Sequence, residues 1–489
     1  MQIRTLTRPR KGVFLLSSLC LCLLGSGANP AHAADALPEI KPGKVASTFE
    51  QLRVHEVADQ LIRYVGKAVQ WVDQPATRIP MQSLAGQVRA AVLAHPEQRL
   101  TQEQRAGASL ATREAFAGYL PQVSANIESG KRSYDPVSTP WNSVPAYTDN
   151  SRALALSARQ MIYDFGAVGS QVEARTALER SAQARAELKT SELTLRALTV
   201  WHEVFRAREI LAVSRMNVLS RQQILSFIEE REKLGGSAQS DVLRSRARLA
   251  DAQATAVVAE NRLAAAEALY REVFDAAAPA QLGLPEAAPL ALERFDNLSD
   301  WTQRNANLSD ARAQTEAAGH EAKAAAAALL PSLHLDITAR RRDIGGEGVA
   351  GSDWTAGFLL KQTLYSGGAD MARKQQADQR AKESQLSEDN IKRQLARAFA
   401  QAIADVKNST AAVATRKEAV QVAAVALEAV REQFAFRRGT LLDLLRAQEE
   451  LYIAGRDLID NLVDHTLVRY RLLNLAMELT PMFAIESRP

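Results

Sequence analysis

The sequence has only two cysteines, Cys20 and Cys22, and both lie within its first 33 residues. The rest of the chain therefore has neither a disulfide nor a cysteine-ligated metal site. Its histidines are scattered and form no H-E-x-x-H or similar ligand pattern, and a G-x-S-x-G motif and a phosphate-binding glycine loop are also missing. These absences predict that the protein is not an enzyme and holds no metal or cofactor.

The sequence after residue 33 also lacks a long apolar run. A membrane helix needs roughly 18 or more consecutive apolar residues, so such a helix is excluded there. An exported chain without one can lie in a membrane only as a closed barrel of strands. Charge is balanced too, with 60 basic and 56 acidic residues, and four of the basic residues precede Ala34. A balanced chain offers no basic patch for nucleic acid.

The first 33 residues have the three parts of an export signal. Four basic residues precede residue 12, residues 13–24 are apolar, and Ala31-His32-Ala33 has the small-x-small pattern of a cleavage site. We therefore expect residues 1–33 to be a signal peptide. Residues 34–80 contain four prolines and are predicted to be an irregular N-terminal extension, within which residues 49–72 have the spacing of a helix.

The dominant feature is an internal repeat. Tyr163-Asp164-Phe165-Gly166 returns 202 positions later as Tyr365-Ser366-Gly367-Gly368, and 75 positions separate the last glycine from Asp241 in one copy and from Asp443 in the other. Equal spacing over so long a stretch indicates a duplicated supersecondary unit. We assign the first repeat to residues 81–275, a linker to residues 276–297, the second repeat to residues 298–480 and a C-terminal tail to residues 481–489.

Each repeat predicts a helix, a Leu-Pro pair, two strands and a long helical hairpin. The strands are predicted near residues 122–131, 151–161, 332–341 and 354–364, and in the third strand Leu333, Leu335 and Ile337 alternate with polar residues. Helical patterns almost free of glycine and proline follow, and they turn back at Gly235-Gly236 and at Gly439. The predicted fold class is mostly α, with antiparallel helical hairpins and four strands.

Two interpretations remain open for each kind of element. The alternating strands fit an ordinary sheet with one buried face, or a barrel with apolar residues toward lipid and polar residues toward a wet lumen. Four strands are too few to close a barrel, so the second interpretation requires strands from several chains. The alanine-rich helices fit solvated coiled coils, or a tube of closely packed helices.

These motifs resemble those of the TolC-like outer-membrane factor, or outer membrane efflux protein, family. The resemblance rests on the two repeated junction sequences, the Leu-Pro pair before each strand, and the run from Gly439 to Leu445 followed by Ala447-Gln448, and it covers roughly residues 81–480. It implies a homotrimer in the cell outer membrane, with a 12-stranded β-barrel built from four strands per subunit. The helices would form a periplasmic tunnel, the α-barrel, with an equatorial belt from residues 275–300 and the C terminus.

The resemblance also implies roles for single residues. Asp241 and Asp443 match the acidic gate of the family, Arg437 or Arg438 would be the pairing cation, and Phe436 stands at a tyrosine position. The remaining tip and barrel-to-tunnel junction residues are Gly235, Gly236, Gly439, Tyr163, Gly166, Tyr365, Gly367, Gly368, Pro121 and Pro331. Two departures are a second tip shorter than usual and Arg446, placed to pair with Asp443. The alternative role of both aspartates is helix N-capping.

Three functions follow as hypotheses. In the first, the chain is the passive exit duct of a type I secretion system, working with a periplasmic adaptor (membrane fusion protein) and an inner-membrane ABC transporter. The sequence around Phe434, Phe436 and Leu441 to Leu445 is similar to secretion-type members. In the second, the same duct serves a proton-driven drug or metal efflux pump. In the third, the chain is a soluble periplasmic coiled-coil scaffold without a pore.

Overall fold

Two long helical hairpins and one four-stranded sheet make up most of the fold. The computed structural model describes residues 54–74, 78–134, 141, 147–286, 288, 290–342, 351–436 and 438–485, all within the unit Phe49–Pro489. Its helices are α1 Val54–Asp73, α2 Met81–Ala94, α3 Pro96–Phe116, α4 Ala167–Lys233, α5 Gln239–Phe274, α6 Leu298–Arg304, α7 Ala306–Ala327, α8 Ala369–Ala435, α9 Leu441–Leu475 and α10 Leu479–Met482. The predicted signal peptide lies outside the described residues.

Helix lengths confirm the duplication. The outgoing helices α4 and α8 have 67 residues each, and the return helices α5 and α9 have 36 and 35. At 1.5 Å per residue, an outgoing helix is about 100 Å long. The two outgoing helices, α4 and α8, contain no proline, and their only glycine is Gly169 in the first turn of α4. Nothing in their sequences therefore interrupts the backbone hydrogen bonds.

The helices that precede each strand pair are both broken in two. The first is interrupted at His95-Pro96, and the His95 ring accepts a hydrogen bond from the Glu97 N–H. The second is interrupted at Asn305. The Asn305 side chain accepts from the Asn307 N–H at 2.9 Å and donates to the Leu475 carbonyl at 2.7 Å. A capping side chain therefore restarts the helix without any proline or glycine.

The four strands form one antiparallel sheet in the order β1-β2-β3-β4. Their bounds are β1 Gln122–Tyr134, β2 Tyr147–Tyr163, β3 Ser332–Arg342 and β4 Gly351–Lys361. The first three strands are longer than predicted. Their far ends continue into segments rich in polar residues, a composition that is typical of loops. The fourth begins and ends three residues earlier than predicted, which leaves Leu364 outside the sheet.

Cross-strand pairing aligns the alternation of all four strands on one surface. The register joins Ile127 to Leu154, Leu156 to Ala339 and Ala339 to Trp354. Residues opposite each other in antiparallel strands share a face. The apolar face so defined comprises Val123, Ala125, Ile127, Leu154, Leu156, Ala158, Leu333, Leu335, Ile337, Ala339, Trp354, Ala356, Phe358 and Leu360. Gln160, at one end of this face, donates a hydrogen bond to the Tyr119 carbonyl.

The opposite face of the sheet is polar. Ser124 and Ser157 share a hydrogen bond of 2.8 Å, and Arg159 contacts Asp336 at 2.6 Å from the neighbouring strand. The apolar face, in contrast, is uncovered: Ile127 is 82 % exposed and Trp354 is 77 % exposed. A monomer rarely leaves so large an apolar surface in water, so this face has another environment. None of the helices in the ranges described combines the length and apolar character needed to cross a membrane.

The hydrophobic core joins the two hairpins along α4, α8 and α9. Ile224 and Phe227 of α4 pack with Leu427 of α8 and with Leu441 and Leu445 of α9 in one buried cluster. The inter-repeat linker lies against a second cluster nearer the middle of the helices, where Ala288 and Leu290 contact buried residues of α2, α4 and α9. The hairpins are therefore held to each other within one chain.

Helix α1 lies within the predicted N-terminal extension, in the part where residues 49–72 have the spacing of a helix. Leu61 and Val65 are buried in the cluster formed by α4 and α9, and each contributes about 1.5–3 kcal/mol of hydrophobic burial. The Tyr64 hydroxyl donates to Glu209 at 2.8 Å, and Trp71 packs edge-on against Phe205 at 5.3 Å. This helix fastens the N-terminal segment along both hairpins.

Close approach of α1 depends on Gly455. A Cβ at Gly455 would lie 2.7 Å from Val65 Cγ1, so Gly455→Ala should push α1 outward and destabilise its docking by about 1–3 kcal/mol. Gly66→Ala is the matched control, because nothing lies within 4 Å of its Cβ position and alanine should stabilise the helix by about 0.5–1 kcal/mol. Hydrogen exchange of residues 60–73 measures both effects. Equal protection in the two variants would contradict this packing.

The linker also binds the end of the N-terminal extension. Ile79 and Pro285 form an isolated parallel bridge, with the Ile79 N–H donating to the Leu284 carbonyl at 3.0 Å. Arg469 donates to the Ala288 carbonyl at 2.6 Å. These contacts hold the linker against the end of the N-terminal extension and against α9.

Candidate functional site

The two hairpin turns have the same length. Residues 234–238 join α4 to α5, and residues 436–440 join α8 to α9, so each turn has five residues. The second turn is therefore as long as the first. The duplicated unit keeps its turn length although the two turn sequences differ.

The first turn closes with a Schellman motif. Gly235 is left-handed, with φ of +74°, and its N–H donates to the Glu232 carbonyl at 2.8 Å. The Gly236 N–H donates to the Arg231 carbonyl at 2.8 Å. Both bonds satisfy carbonyls that a helix end leaves unpaired. The backbone at position 235 needs glycine, because other residues are strained at this φ.

The second turn shares one of these bonds with the first. The Arg438 N–H donates to the Gln433 carbonyl at 2.8 Å, as the Gly236 N–H does to the Arg231 carbonyl, and the Gly439 N–H donates to the same Gln433 carbonyl at 3.1 Å. A Cβ at Gly439 would lie 3.2 Å from the Phe434 nitrogen, so the chain passes too close to itself for a side chain. Phe436 is 76 % exposed and Arg438 is exposed as well. Arg437 lies outside the described residues.

Asp443 caps the return helix of the second repeat. Thr440 Oγ1 accepts from the Asp443 N–H at 3.2 Å, and Asp443 Oδ2 accepts from the Thr440 hydroxyl at 2.6 Å and from its N–H at 3.2 Å. This reciprocal pair is a capping box. The hydrogen bonds from Thr440 lower the pKa of Asp443, and the positive charge of Arg446 adds a weaker effect in the same direction. The carboxylate thus stays ionised well into the acidic range.

Asp241 occupies the equivalent position in the first repeat. It is the third residue of α5, as Asp443 is the third residue of α9. Its N–H donates to the Ala238 carbonyl at 2.9 Å, and its carboxylate lies 3.9 Å from Arg244 in the next helical turn. Both aspartates therefore sit where a carboxylate interacts favourably with the helix dipole. Helix capping accounts for Asp443 and leaves one of its carboxylate oxygens accessible to a neighbour.

A buried arginine above the turns ties the two hairpins together, and the sequence reading did not identify it. Arg221 of α4 has a side chain only 1 % exposed, and it donates to the Leu445 carbonyl at 3.0 Å and to Glu449 at 2.8 Å. Burial lowers the pKa of Arg221. The sequence does contain a signal for the burial of Arg221, because this residue shares a helical face with the apolar residues Ile224 and Ile228.

Aromatic and amide contacts continue this link toward the tips. Phe227 and Phe434 meet edge-on at 6.2 Å, and the Arg231 guanidinium lies 5.5 Å from the centre of the Phe434 ring. Gln448 donates to Ser220 at 2.7 Å. Side chains of α4 thus contact α8 and α9 over several turns, so the tips of one chain are coupled to each other.

The junction between sheet and helix is built alike in both repeats. Gly166 and Gly368 are left-handed, with φ of +86° and +85°, and each directly precedes the first residue of a 67-residue helix. Asp164 accepts from the Gly166 N–H at 3.0 Å and from the Val168 N–H at 2.6 Å. Ser366, its counterpart, accepts from the Asp370 N–H at 3.2 Å. The polar residue caps the helix while glycine reverses the backbone.

The preceding positions differ between the repeats. Phe165 is left-handed at φ of +55°, where the second repeat has Gly367 at +68°. The Phe165 ring packs on Tyr163 at 4.8 Å, whereas Tyr365 is 85 % exposed. Pro121 and Pro331 directly precede β1 and β3, where they prevent the preceding helix from continuing. The predicted junction residues thus lie together at the boundary between the sheet and the helices.

The histidines form no ligand set in the described part of the chain, and no group of three potential metal ligands is found there. His202 is buried and His465 is half-buried, and burial lowers the pKa of each to about 4. His320 contacts Glu173 at 2.7 Å. These residues belong to helix packing.

Comparison with known proteins identifies the family. Residues 297–473 match the family model for the outer membrane efflux protein. The outer membrane efflux protein BepC of Brucella suis biovar 1 (strain 1330) is 22 % identical over 370 residues, which is 75 % of this chain and 79 % of BepC. The second repeat therefore matches the outer membrane efflux protein family, and the chain is similar to a named efflux protein over most of its length.

Other similarities support the same fold for this chain. The proteases secretion protein PrtF of Dickeya chrysanthemi is 27 % identical over 338 residues, 66 % of this chain and 71 % of PrtF. The outer membrane protein VceC of Vibrio cholerae, a solved structure, superposes with a TM-score of 0.71 at 18 % identity, over 81 % of this chain and 96 % of VceC. The fold class predicted from sequence is thereby confirmed.

The comparisons support a location in the outer membrane. The proteins that this chain resembles are outer-membrane channels with a large periplasmic part. The family model covers the second repeat, and the first repeat reproduces that architecture element by element.

Proposed function

We propose that three copies of this outer membrane efflux protein form one duct that carries cargo across the periplasm and the outer membrane. The observation that carries the proposal is the continuous apolar face on an open four-stranded sheet. A face of this kind, backed by a polar face, suits a position between lipid and a wet lumen. The sheet would lie in the membrane and the helical hairpins in the periplasm.

The edges of the sheet support closure by several copies. Strands β1 and β4 each have only one neighbour among the described strands, so each has one row of unpaired backbone groups. Four strands are too few for a closed sheet. Pairing β1 of one copy with β4 of the next is a head-to-tail contact that forms a ring when its rotation closes. Three copies contribute twelve strands, the number that the family resemblance implies.

The outer helices of the hairpins support the same assembly. On α5, Leu243 is 59 % exposed and Val257 is 56 % exposed, while on α8 Val422 is 62 % exposed and Val425 is 71 % exposed. Both helices flank the central pair α4 and α9, so their apolar residues lie on opposite sides of the chain's helical layer. Contact of α5 in one copy with α8 in the next would cover both sets.

In the trimer, the hairpin turns would surround the periplasmic entrance. Asp443 from each copy would form a ring of three carboxylates, with Asp241 close by and the exposed Arg438 and Phe436 able to contact the neighbouring tip. A ring of fixed negative charge favours cations. The tips would dock a periplasmic adaptor, which in turn joins an inner-membrane transporter that supplies the energy.

Neutralising Asp443 should lower the cation preference of the channel. Asp443→Asn keeps the capping hydrogen bonds and removes only the charge, so the potassium-to-chloride permeability ratio should fall by roughly 2- to 10-fold. Because the pKa of Asp443 lies below its ordinary value of 3.8, the wild-type ratio should stay constant between about pH 7 and pH 5. Reversal potentials in planar bilayers measure both quantities.

Glu450→Gln is the matched control for this measurement. Glu450 is an exposed carboxylate two helical turns from Asp443 on the same helix. It should leave the permeability ratio within the scatter of the wild type. An Asp443→Asn channel that keeps the wild-type ratio would remove Asp443 from the constriction.

We assign the duct first to type I secretion of protein. PrtF, with 27 % identity, is named as a proteases secretion protein. The second candidate is an efflux pump for drugs or metals, which is favoured by the longer match to BepC, named as an efflux protein. A wide duct has no specific pocket, so the residues that line it do not separate the two candidates.

Comparison of culture supernatants from the wild type and a deletion strain separates them. Loss of one or a few large proteins from the medium, restored by the gene in trans, is expected for secretion. An unchanged supernatant together with increased sensitivity to drugs or metals would assign the duct to efflux. Extraction of the protein from membranes by salt alone would contradict both and leave a periplasmic scaffold.

A further inference from the structure

Three cations lie side by side on the apolar face of the sheet, at its end far from the helices. Arg152 pairs with Ser129, Lys131 pairs with Asn150, and Arg341 pairs with Leu154. Since paired residues share a face, Lys131, Arg152 and Arg341 project from the same face as Leu154 and Ile127. All three are exposed. We call them the basic triad.

Among the residues whose side chains the structure describes, the basic triad has no carboxylate neighbour on its own face. The other described positions at this level are Ser129 and Ser352, and the three cations form no ion pair with a described residue. On the opposite face, carboxylates accompany the cations. Arg342 contacts Asp353 at 2.8 Å, Arg340 lies opposite Asp353 in the register, and Glu128 shares this face through Ala153, the partner of Arg342. Among the described side chains, the positive charge on the apolar side has no such compensation.

The triad directly follows the apolar band of the same face. Trp354 lies at the level of Ala339, and Arg341 lies two residues farther along β3, at the level of Leu154 and Ile127, where the apolar band ends. From Leu333 to Arg341 the strand rises roughly 26 Å, close to the height of the apolar band of a membrane-spanning sheet. An aromatic residue followed by cations is the pattern of a membrane interface, where headgroups begin.

The spacing of the triad suits phosphate groups. Diagonal neighbours on adjacent strands lie roughly 7–8 Å apart. Arg152 is diagonal to both Lys131 and Arg341, so two phosphates placed between these pairs would each contact two cations. Arginine binds phosphate with two parallel N–H donors, and lysine binds it as a point charge.

We propose that the basic triad binds the phosphorylated headgroup of a lipid in the membrane leaflet farther from the helices. The inference rests on the proposed function, because it requires the apolar face to lie against lipid. The bound lipid would hold the sheet at a fixed depth in the membrane, with Trp354 at the edge of the hydrocarbon layer. A free phosphate is not the ligand, since the triad continues an apolar surface that only an acyl chain would cover.

The test is binding of bis-phosphorylated lipid A to the detergent-purified full-length protein, followed by native mass spectrometry. Each of Lys131→Gln, Arg152→Gln and Arg341→Gln should weaken binding roughly 5-fold, and the triple variant roughly 100-fold. Arg340→Gln is the matched control, because it removes a neighbouring cation that faces the other way. It should bind like the wild type.

Three outcomes would overturn the proposal: a triple variant that binds like the wild type, an equal loss for Arg340→Gln, or equal wild-type binding of lipid A without phosphates. Displacement of the lipid by millimolar inorganic phosphate would instead indicate a free-anion site. The single variants keep the test valid if the triple variant does not fold. Flotation of wild-type protein with phosphatidylcholine vesicles distinguishes failure of the headgroup proposal from failure of the proposed function. A protein that does not insert at all would contradict the proposed function itself.

Discussion

Leu335→Arg should abolish most insertion of the protein into membranes. Leu335 lies near the middle of the apolar band, opposite Phe358 on β4. An arginine that faces lipid at mid-depth costs roughly 2–4 kcal/mol per copy, and an assembly of three copies bears this cost three times. We expect little folded oligomer in outer-membrane fractions, measured as the heat-sensitive band on semi-native gels, while the unfolded chain accumulates.

Thr338→Arg is the matched control for this prediction. Thr338 lies on the same strand, three residues away, and belongs to the polar face with Asp336. An arginine there would face the wet lumen, so the yield of folded oligomer should stay close to that of the wild type. If instead Thr338→Arg blocks insertion and Leu335→Arg does not, the assignment of the two faces is reversed.

Removing Glu449 should loosen the two hairpins near their tips. Glu449 is 45 % exposed, but its partner Arg221 is 1 % exposed, so Glu449→Ala leaves a buried guanidinium without its carboxylate. The Leu445 carbonyl still accepts a hydrogen bond, which offsets part of the cost. We expect a loss of about 2–3 kcal/mol in local stability, measured by hydrogen exchange of α4 and α9 next to the turns.

Arg221→Met provides the contrasting variant. It removes the buried charge and leaves Glu449, which is half exposed and remains solvated. A flexible apolar side chain of similar length fills the space, so the loss should be below about 1 kcal/mol. We therefore expect a larger loss of local stability from Glu449→Ala than from Arg221→Met. Equal losses in both variants would show that the pair acts mainly through packing.

The sequence predicted the architecture because the chain repeats itself over long distances. The equal spacing from Gly166 to Asp241 and from Gly368 to Asp443 became two 67-residue helices with equal turns. Alternation in β3 placed Leu333, Leu335 and Ile337 together, and cross-strand pairing extended that face over four strands. Both signals are periodic, so each was supported by many residues.

Other features depended on contacts between distant segments, which a sequence pattern does not specify. The break at Asn305 needs the Leu475 carbonyl, the docking of α1 needs Gly455, and the burial of Arg221 needs α9. The far ends of β1 and β2 continue as strand through polar residues because each supplies the other's backbone partners. Composition alone assigned those residues to a loop. The gate role of Asp443 stays a proposal, since its ring requires neighbouring copies.

Native mass spectrometry of the protein extracted from outer membranes in mild detergent tests the central claim most directly. A duct made of pooled sheets predicts one species with the mass of three mature chains, which persists until the detergent is made denaturing. A single-chain mass under conditions that keep the helices folded would contradict the account, because four strands with two open edges cannot enclose a channel.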